Sequence, residues 1–142
     1  MADTLTPQER SERMRRIRAE NTKPEWLVRS MLHNAGYRYR LHRRSLPGKP
    51  DLVFPSTKIV IFVHGCFWHQ HQGCKIAHIP KSRSGYWKEK FRRNVERDAA
   101  NAAALENMGW RVVVVWECET ADTESLLLKL AEKLQRYRVH KP

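Results

Sequence analysis

The chain is predicted to fold as an α/β domain, a mixed sheet flanked by helices, and three observations carry that expectation. Ile59-Val60-Ile61-Phe62-Val63 is a continuous, largely β-branched run, the pattern of a strand covered on both faces. A second run, Val112 to Trp116, also reads as a buried strand and follows a helical stretch long enough to cross back over the sheet, which predicts a parallel pair with a right-handed connection. Asp51-Leu52-Val53-Phe54 is separated from the first run only by the turn Pro55 to Lys58, so these two strands form a hairpin. At 142 residues the chain can bury a core but does not divide comfortably in two. We read residues 1–142 as one domain, with a basic helix over 1–20 and a core over 21–142.

The elements follow in order. Thr6-Pro7-Gln8-Glu9 has the spacing of a capping box with proline in the first turn, and opens a basic helix that runs to about Ala19. Its Arg13, Arg15, Arg16 and Arg18 exceed what a solvated face needs. Thr22-Lys23-Pro24-Glu25 repeats the box, and Leu27, Val28, Met31, Leu32 and Ala35 keep helical spacing up to Gly36. Tyr37, Tyr39 and Leu41 alternate with Arg38 and Arg40, a half-exposed strand, and Leu46-Pro47-Gly48-Lys49-Pro50 is a turn. Tyr86 to Met108 is helical, with Trp87, Phe91, Val95, Ala99 and Ala102 on one side and Lys90, Arg93, Asn94 and Arg97 on a different, polar stripe. Ser125 to Tyr137 closes the chain as an amphipathic helix with leucines at 126, 127, 130 and 134.

The charge is +12, from 27 Lys and Arg against 15 Asp and Glu, and a polyanionic partner is the expectation, nucleic acid first. Residues 1–97 carry 21 basic and 8 acidic side chains, and residues 98–142 carry 6 and 7, so the phosphate-facing surface belongs to the first two-thirds. An anionic membrane fits less well, because the basic residues are not gathered on one amphipathic segment. With no long apolar span and no apolar stretch behind the first Met, a cytoplasmic protein is expected.

The segment from His64 to Cys74 concentrates the chemistry. Cys66, His71 and Cys74 form a C-x4-H-x2-C arrangement, and Cys118 lies just past the strand expected beside the one that ends at His64. Parallel neighbours present the same ends together, so the four residues can form a Cys3His structural zinc site, with His78 as a possible substitute for His71. Phosphodiester cleavage needs a cation to neutralise phosphate and activate water, and a group that moves protons near neutral pH. Asp51 with a backbone carbonyl near Val63 fits a Mg2+ site, and His64 and His69 fit the proton transfers. Glu25 could orient one of these histidines, although it also completes a capping box. Asp51 likewise fits an ordinary turn after Pro50, and His33 and His42 read as surface or packing residues.

Pro47-Gly48-Lys49-Pro50-Asp51, Val63-His64-Gly65-Cys66-Phe67-Trp68-His69, Asn94-Val95-Glu96-Arg97-Asp98, and Gly109-Trp110-Arg111-Val112 through Val115-Trp116-Glu117-Cys118 strongly resemble the very-short-patch repair (Vsr) DNA mismatch endonucleases from about Arg10 to Cys118. The resemblance implies a restriction-endonuclease-like fold, a structural Zn2+, and Mg2+-dependent nicking of one strand 5′ of the thymine in a T:G mismatch left by 5-methylcytosine deamination. It places the metal carboxylate on Asp51, the carbonyl ligand on Val63, the catalytic histidines on His64 and His69, and a supporting carboxylate on Glu25. The zinc ligands fall on Cys66, His71, Cys74 and Cys118. Phe67 and Trp68, with Trp87 beside them, match a wedge that enters the base stack, Met14 with the neighbouring Arg15 of the N-terminal helix approaches the opposite groove, and Lys90 and Asn94 match positions near the mismatch. A wedge suits a wobble pair, which stacks poorly and opens at lower cost. Val63 stands where the family usually has threonine, and the metal loop has an extra residue between His71 and Cys74. The implied setting is a monomer at the bacterial nucleoid, with mismatch-repair proteins and a cytosine methyltransferase as partners. Two other readings stay open: a restriction or homing-type nuclease without mismatch selectivity, and a zinc-stabilised DNA-binding module without catalysis.

Overall fold

A computed structural model describes Pro7 and residues 22–139, the last five of them by backbone alone. The basic N-terminal helix expected over 1–20, with Met14 and Arg15, lies outside the described residues apart from Pro7. The first described helix, α1 (Lys23–Asn34), starts where the capping box predicts: Thr22 Oγ1 accepts from the Glu25 amide, and Glu25 Oε2 accepts from the Thr22 amide. Then follow β1 (Arg40–Leu41), β2 (Leu52–Phe54), β3 (Ile59–His64), α2 (Ser84–Asn107), β4 (Arg111–Trp116), a 3-10 turn (Glu117–Ala121) and α3 (Thr123–Val139).

The strands lie in the order β1-β2-β3-β4. β2 pairs antiparallel with β3, matching Val53 with Val60, and β3 pairs parallel with β4, matching Val63 with Val115 and His64 with Trp116. The sheet is mixed, as the short turn and the helical crossover predict. Because strand side chains alternate between faces, two cores form. On one face Leu52, Phe54, Ile59, Ile61, Val113 and Val115 pack with Val28 and Leu32 of α1 and Leu126, Leu130 and Leu134 of α3. On the other, Val53, Val60 and Phe62 pack with Leu46, Leu105 and Trp110. Burial of these apolar surfaces, at about 25 cal/mol per Å2, is what holds the layers together. Among the described residues no helix is long and apolar enough to cross a membrane.

Three expectations are corrected. The strand expected over Tyr37–Leu41 shrinks to Arg40–Leu41, with Leu41 exposed. Tyr37 and Tyr39 instead pack on the first core, Tyr39 Oη donates to the Arg29 carbonyl at 2.8 Å, and His42 takes a left-handed φ of 44° that ends the extended run. β4 is an edge strand and is only half covered. The inner face of α2 is also rotated from the expected apolar side: Val95 is 46% exposed and Ala99 is exposed, whereas Phe91 and Leu105 are buried with Asn94, Asp98 and Asn101 between them in depth. The reason is a groove of about 1440 Å3 between α2 and the ends of β2 and β3. From α2 it is lined by Lys90, Arg93, Asn94, Arg97, Asp98 and Asn101 beside Ala99 and Ala102, a mixed face where a packed helix would need an apolar one.

Candidate active site and metal centre

β3 delivers the site. Its continuous burial ends at His64, which keeps 8% exposure and packs against Phe62 and Trp116, with ring centroids 5.6 and 5.3 Å away. Beside it, Asp51 stands immediately before β2. Antiparallel pairing brings it to β3, where Asp51 Oδ2 accepts a hydrogen bond from the Val63 amide at 2.7 Å. The carboxylate therefore lies one residue along the strand from the His64 imidazole. Asp51, Val63, His64 and His69 all line the groove.

The loop after β3 folds back at once: the His69 amide bonds the Gly65 carbonyl, and Gln70 adopts a φ of 47°. This lays the His69 ring flat on His64, 3.9 Å between centroids and 1° between planes. Asp98 Oδ2, from α2, lies 2.6 Å from His69 Nδ1. One helical turn earlier, Asn94 Nδ2 donates to the Trp68 carbonyl at 3.0 Å. Asn94 and Asp98 thus hold consecutive loop residues from one helix face.

The electrostatics separate the ionisable groups. Burial, with an added contribution from the nearby Glu25, pushes Asp51 up to about 7 against the Val63 hydrogen bond. Burial and the neighbouring His69 push His64 down to about 4, so the imidazole is neutral at physiological pH. A carboxylate held reluctantly charged beside a neutral imidazole can take a cation and accept a proton.

Glu25, 2% exposed, does not meet His64 or His69 in the structure. Its Oε1 accepts from Arg29 Nη2 at 2.8 Å and hydrogen-bonds His42 Nε2, while its Oε2 serves the capping box, so the capping role is present and the histidine it meets is His42. Sequence reasoning missed two residues of the site. His42 sits in a basic stretch, His42-Arg43-Arg44, that reads as surface. Asp98 lies within the Asn94–Asp98 motif, and its i,i+4 spacing from Asn94 was the signal available.

The four expected metal ligands come together. Cys66, His71, Cys74 and Cys118 have their ligating atoms within 4.8 Å of one another, a cluster able to hold a metal ion. His71 Nδ1 lies 3.7 Å from Cys66 Sγ and 3.5 Å from Cys118 Sγ. Its ring is stacked on Trp116 at 4.2 Å, which fixes its direction. His78 is not in the cluster; its Nδ1 meets the Ile76 carbonyl and its ring leans on Phe67. Burial and the thiols of Cys118 and Cys74 push Cys66 up to about 12.

Phe67, Trp68 and Trp87 are half-buried on the groove wall. Phe67 meets Trp68 at 5.1 Å, Trp87 at 5.8 Å and the buried Phe91 at 5.1 Å, so the cluster is anchored on α2 at one edge. Lys90 Nζ lies 5.9 Å from the Trp68 ring. Lys49, Lys90, Arg93 and Arg97 add positive charge along the same groove.

The family model described as DNA mismatch endonuclease Vsr matches residues 2–75. The chain is 54% identical over 130 residues, 92% of its length and 95% of the relative's, to the type II nicking enzyme V.XorIIP of Xanthomonas oryzae pv. oryzae. It is 48% identical over 119 residues, 84% of each chain, to the type II nicking enzyme V.NmeAIP of Neisseria meningitidis. To the DNA mismatch endonuclease Vsr of Escherichia coli it is 41% identical over 138 residues, 96% of this chain and 88% of the other. With the family model covering more than half the chain and these relatives covering nearly all of it, the chain belongs to the Vsr family of DNA mismatch endonucleases.

Proposed function

We propose that this protein is a Mg2+-dependent endonuclease, of restriction-endonuclease type in its fold, that nicks one DNA strand 5′ of the thymine in a T:G mismatch. The observation that carries the reading is the junction at the end of β3, where Asp51 is hydrogen-bonded to Val63 next to the stacked pair His64 and His69. Asp51 and the Val63 carbonyl would hold Mg2+, a hard cation suited to oxygen donors; when bound it neutralises the phosphate and lowers the pKa of water. Neutral His64 accepts the proton of the attacking water. His69, its Nδ1 held by Asp98, presents its other nitrogen towards the leaving oxygen.

Zn2+ is the metal proposed for the Cys66, His71, Cys74 and Cys118 cluster. With Zn–S of about 2.3 Å and Zn–N of about 2.0 Å, a tetrahedron has an S···N edge of about 3.5 Å, and the two sulfur–nitrogen separations of 3.7 and 3.5 Å lie close to that edge. A closed site of this kind pins the loop that carries His69, Phe67 and Trp68. Phe67 and Trp68, with Trp87, are proposed to enter the base stack beside the wobble pair, where stacking is weakest. Lys90 and Asn94 face the same groove, and Met14 and Arg15, which lie outside the described residues, are assigned to the other groove of the duplex. The reading extends to a single-domain monomer acting at the nucleoid in the cytoplasm, alongside mismatch-repair proteins and a cytosine methyltransferase.

The test is incubation with 5′- and 3′-labelled duplexes carrying T:G, A:T or C:G at one site, with and without Mg2+. Nicking confined to T:G and lost in Asp51→Ala, with duplex binding retained, is expected. Equal cutting of matched duplex selects a nuclease without mismatch selectivity, and Mg2+-independent binding without any cutting selects a DNA-binding module.

A further inference from the structure

Behind Asp51 lies a buried polar cluster contributed by separate parts of the chain. Glu25 and Arg29 stand one turn apart on α1, and His42 follows β1 directly. His42 Nε2 hydrogen-bonds Glu25 Oε1, stands 3.2 Å from Arg29 Nη2, and is 3.9 Å from Asp51 Oδ1. The backbone makes a second tie, the His42 amide donating to the Asp51 carbonyl at 3.2 Å. His42 holds this position in a left-handed conformation, φ 44°, which for a residue other than glycine is kept only by surrounding contacts. The three ligand-type side chains Glu25, His42 and Asp51 cluster closely enough to suggest a cation site of their own. Arg29 argues against it, because its guanidinium already lies 2.8 Å from the Glu25 oxygen. The cluster is a brace whose positive charge is built in.

We infer that His42 is a positioning residue for Asp51: it transmits the fixed place of Glu25 and Arg29 to the carboxylate beside it, so that Glu25 acts through Asp51 and not through His64 or His69. The inference rests on the reading of Asp51 as the metal carboxylate. Asp51 Oδ2 is fixed by the Val63 amide; Oδ1 is the oxygen that faces His42. With Oδ2 bonded and Oδ1 bounded by the imidazole 3.9 Å away, the carboxylate meets a cation in one orientation. Without His42, Arg29 still holds Glu25, but the imidazole between Glu25 and Asp51 Oδ1 is gone, and Asp51 turns away from the neighbouring carboxylate.

Direct Mn2+ binding tests this without reference to turnover, with free Mn2+ read by electron paramagnetic resonance and the Asp51→Ala protein defining the background of other sites. His42→Leu is expected to weaken Mn2+ binding about 10-fold, the lower end of what loss of a residue orienting a metal ligand costs. His42→Gln, whose amide reaches Glu25, is expected to recover most of the affinity. Glu25→Gln should weaken binding similarly, and the double variant should lose no more than the worse single one, since both act through one contact. Where His42→Leu does not fold, His42→Asn, polar but too short to bridge, carries the same expectation. Parent-like Mn2+ binding in His42→Leu, or independent multiplication of the two losses, overturns the inference alone. A parent protein that binds Mn2+ no better than Asp51→Ala overturns the reading of Asp51 and the inference with it.

Discussion

Asp51→Asn is expected to make the metal-free protein more stable at pH 8 while abolishing nicking. Asp51 is pushed from 3.8 up to about 7, chiefly by burial, and its side chain is only 15% exposed. A folded-state pKa above the unfolded value means that the folded protein holds the proton more tightly between about pH 4 and 7. The stability this confers is complete below pH 3.8 and is lost as pH rises through 7. At pH 8 the folded state therefore carries the whole cost of the buried carboxylate, about 3 pKa units at 1.36 kcal/mol each, or about 4 kcal/mol. Asparagine keeps an oxygen for the Val63 amide and has no charge to bury. Relaxation of Arg29 and His42 around the carboxylate lowers the gain, and about 2 kcal/mol is expected, a rise in Tm of about 4–8 °C for a chain of this size. Thermal and urea unfolding of parent and variant, without added Mg2+, at pH 8 and pH 5 measure it. The gain should shrink towards pH 5, where the parent carboxyl is protonated. A variant no more stable than the parent at pH 8, or a gain as large at pH 5, would refute the reasoning.

Three further outcomes follow from the geometry. Cys118→Ser should release the bound metal, measured by elemental analysis, and lower Tm by more than about 10 °C, because a structural zinc site contributes on the order of 10 kcal/mol to folding in small peptides; unchanged melting in a protein that never held metal would reject the site. Asp98→Asn should reduce nicking about 10- to 100-fold by releasing His69 Nδ1, with duplex binding unchanged in a gel-shift assay. Gly48→Ala should cost about 1–3 kcal/mol in urea unfolding, since Gly48 has a φ of 74° and a Cβ there would lie 2.9 Å from Asn101 Nδ2 and 3.0 Å from Asn101 Cβ; Asn101→Ala in the same chain should relieve only part of the contact, because it keeps the Cβ, and leave the backbone strain.

The sheet was legible because its signals are local. The run Ile59–Val63 is covered on both faces, as a continuous apolar strand must be, and the short turn at Pro55–Lys58 permits only a hairpin with β2. The faces of α2 were not legible, because periodicity assumes that a helix turns its apolar side to the protein. Here the protein side of α2 is a groove, and the groove needs Asn94, Asp98 and Asn101. Val95 is left on the outside, 46% exposed, and Ala99 lines the groove beside Asp98. β1 was misjudged for a related reason: alternation of tyrosine and arginine continued past the point where the chain turns to bring His42 inward.

Within the site, the residues proposed to supply chemistry could be read from the sequence, whereas the residues proposed to aim them could not. Asp51, His64 and His69 flank strand signals, so their neighbourhood follows from strand pairing. Asp98 and His42 reach the site from 29 residues away from His69 and 17 from Glu25, distances over which no periodicity speaks. Each makes sense only once a helix or strand end is set against its neighbour. Aiming residues are also polar, and in a chain of charge +12 a histidine beside two arginines reads as one more solvated cation. What distinguishes His42 is a left-handed φ and two bonds to other segments, and neither leaves a trace in composition. Sequence reasoning about a nuclease of this kind therefore finds the reacting groups first and their orienting partners last, because reactivity belongs to residue type and orientation belongs to tertiary contact.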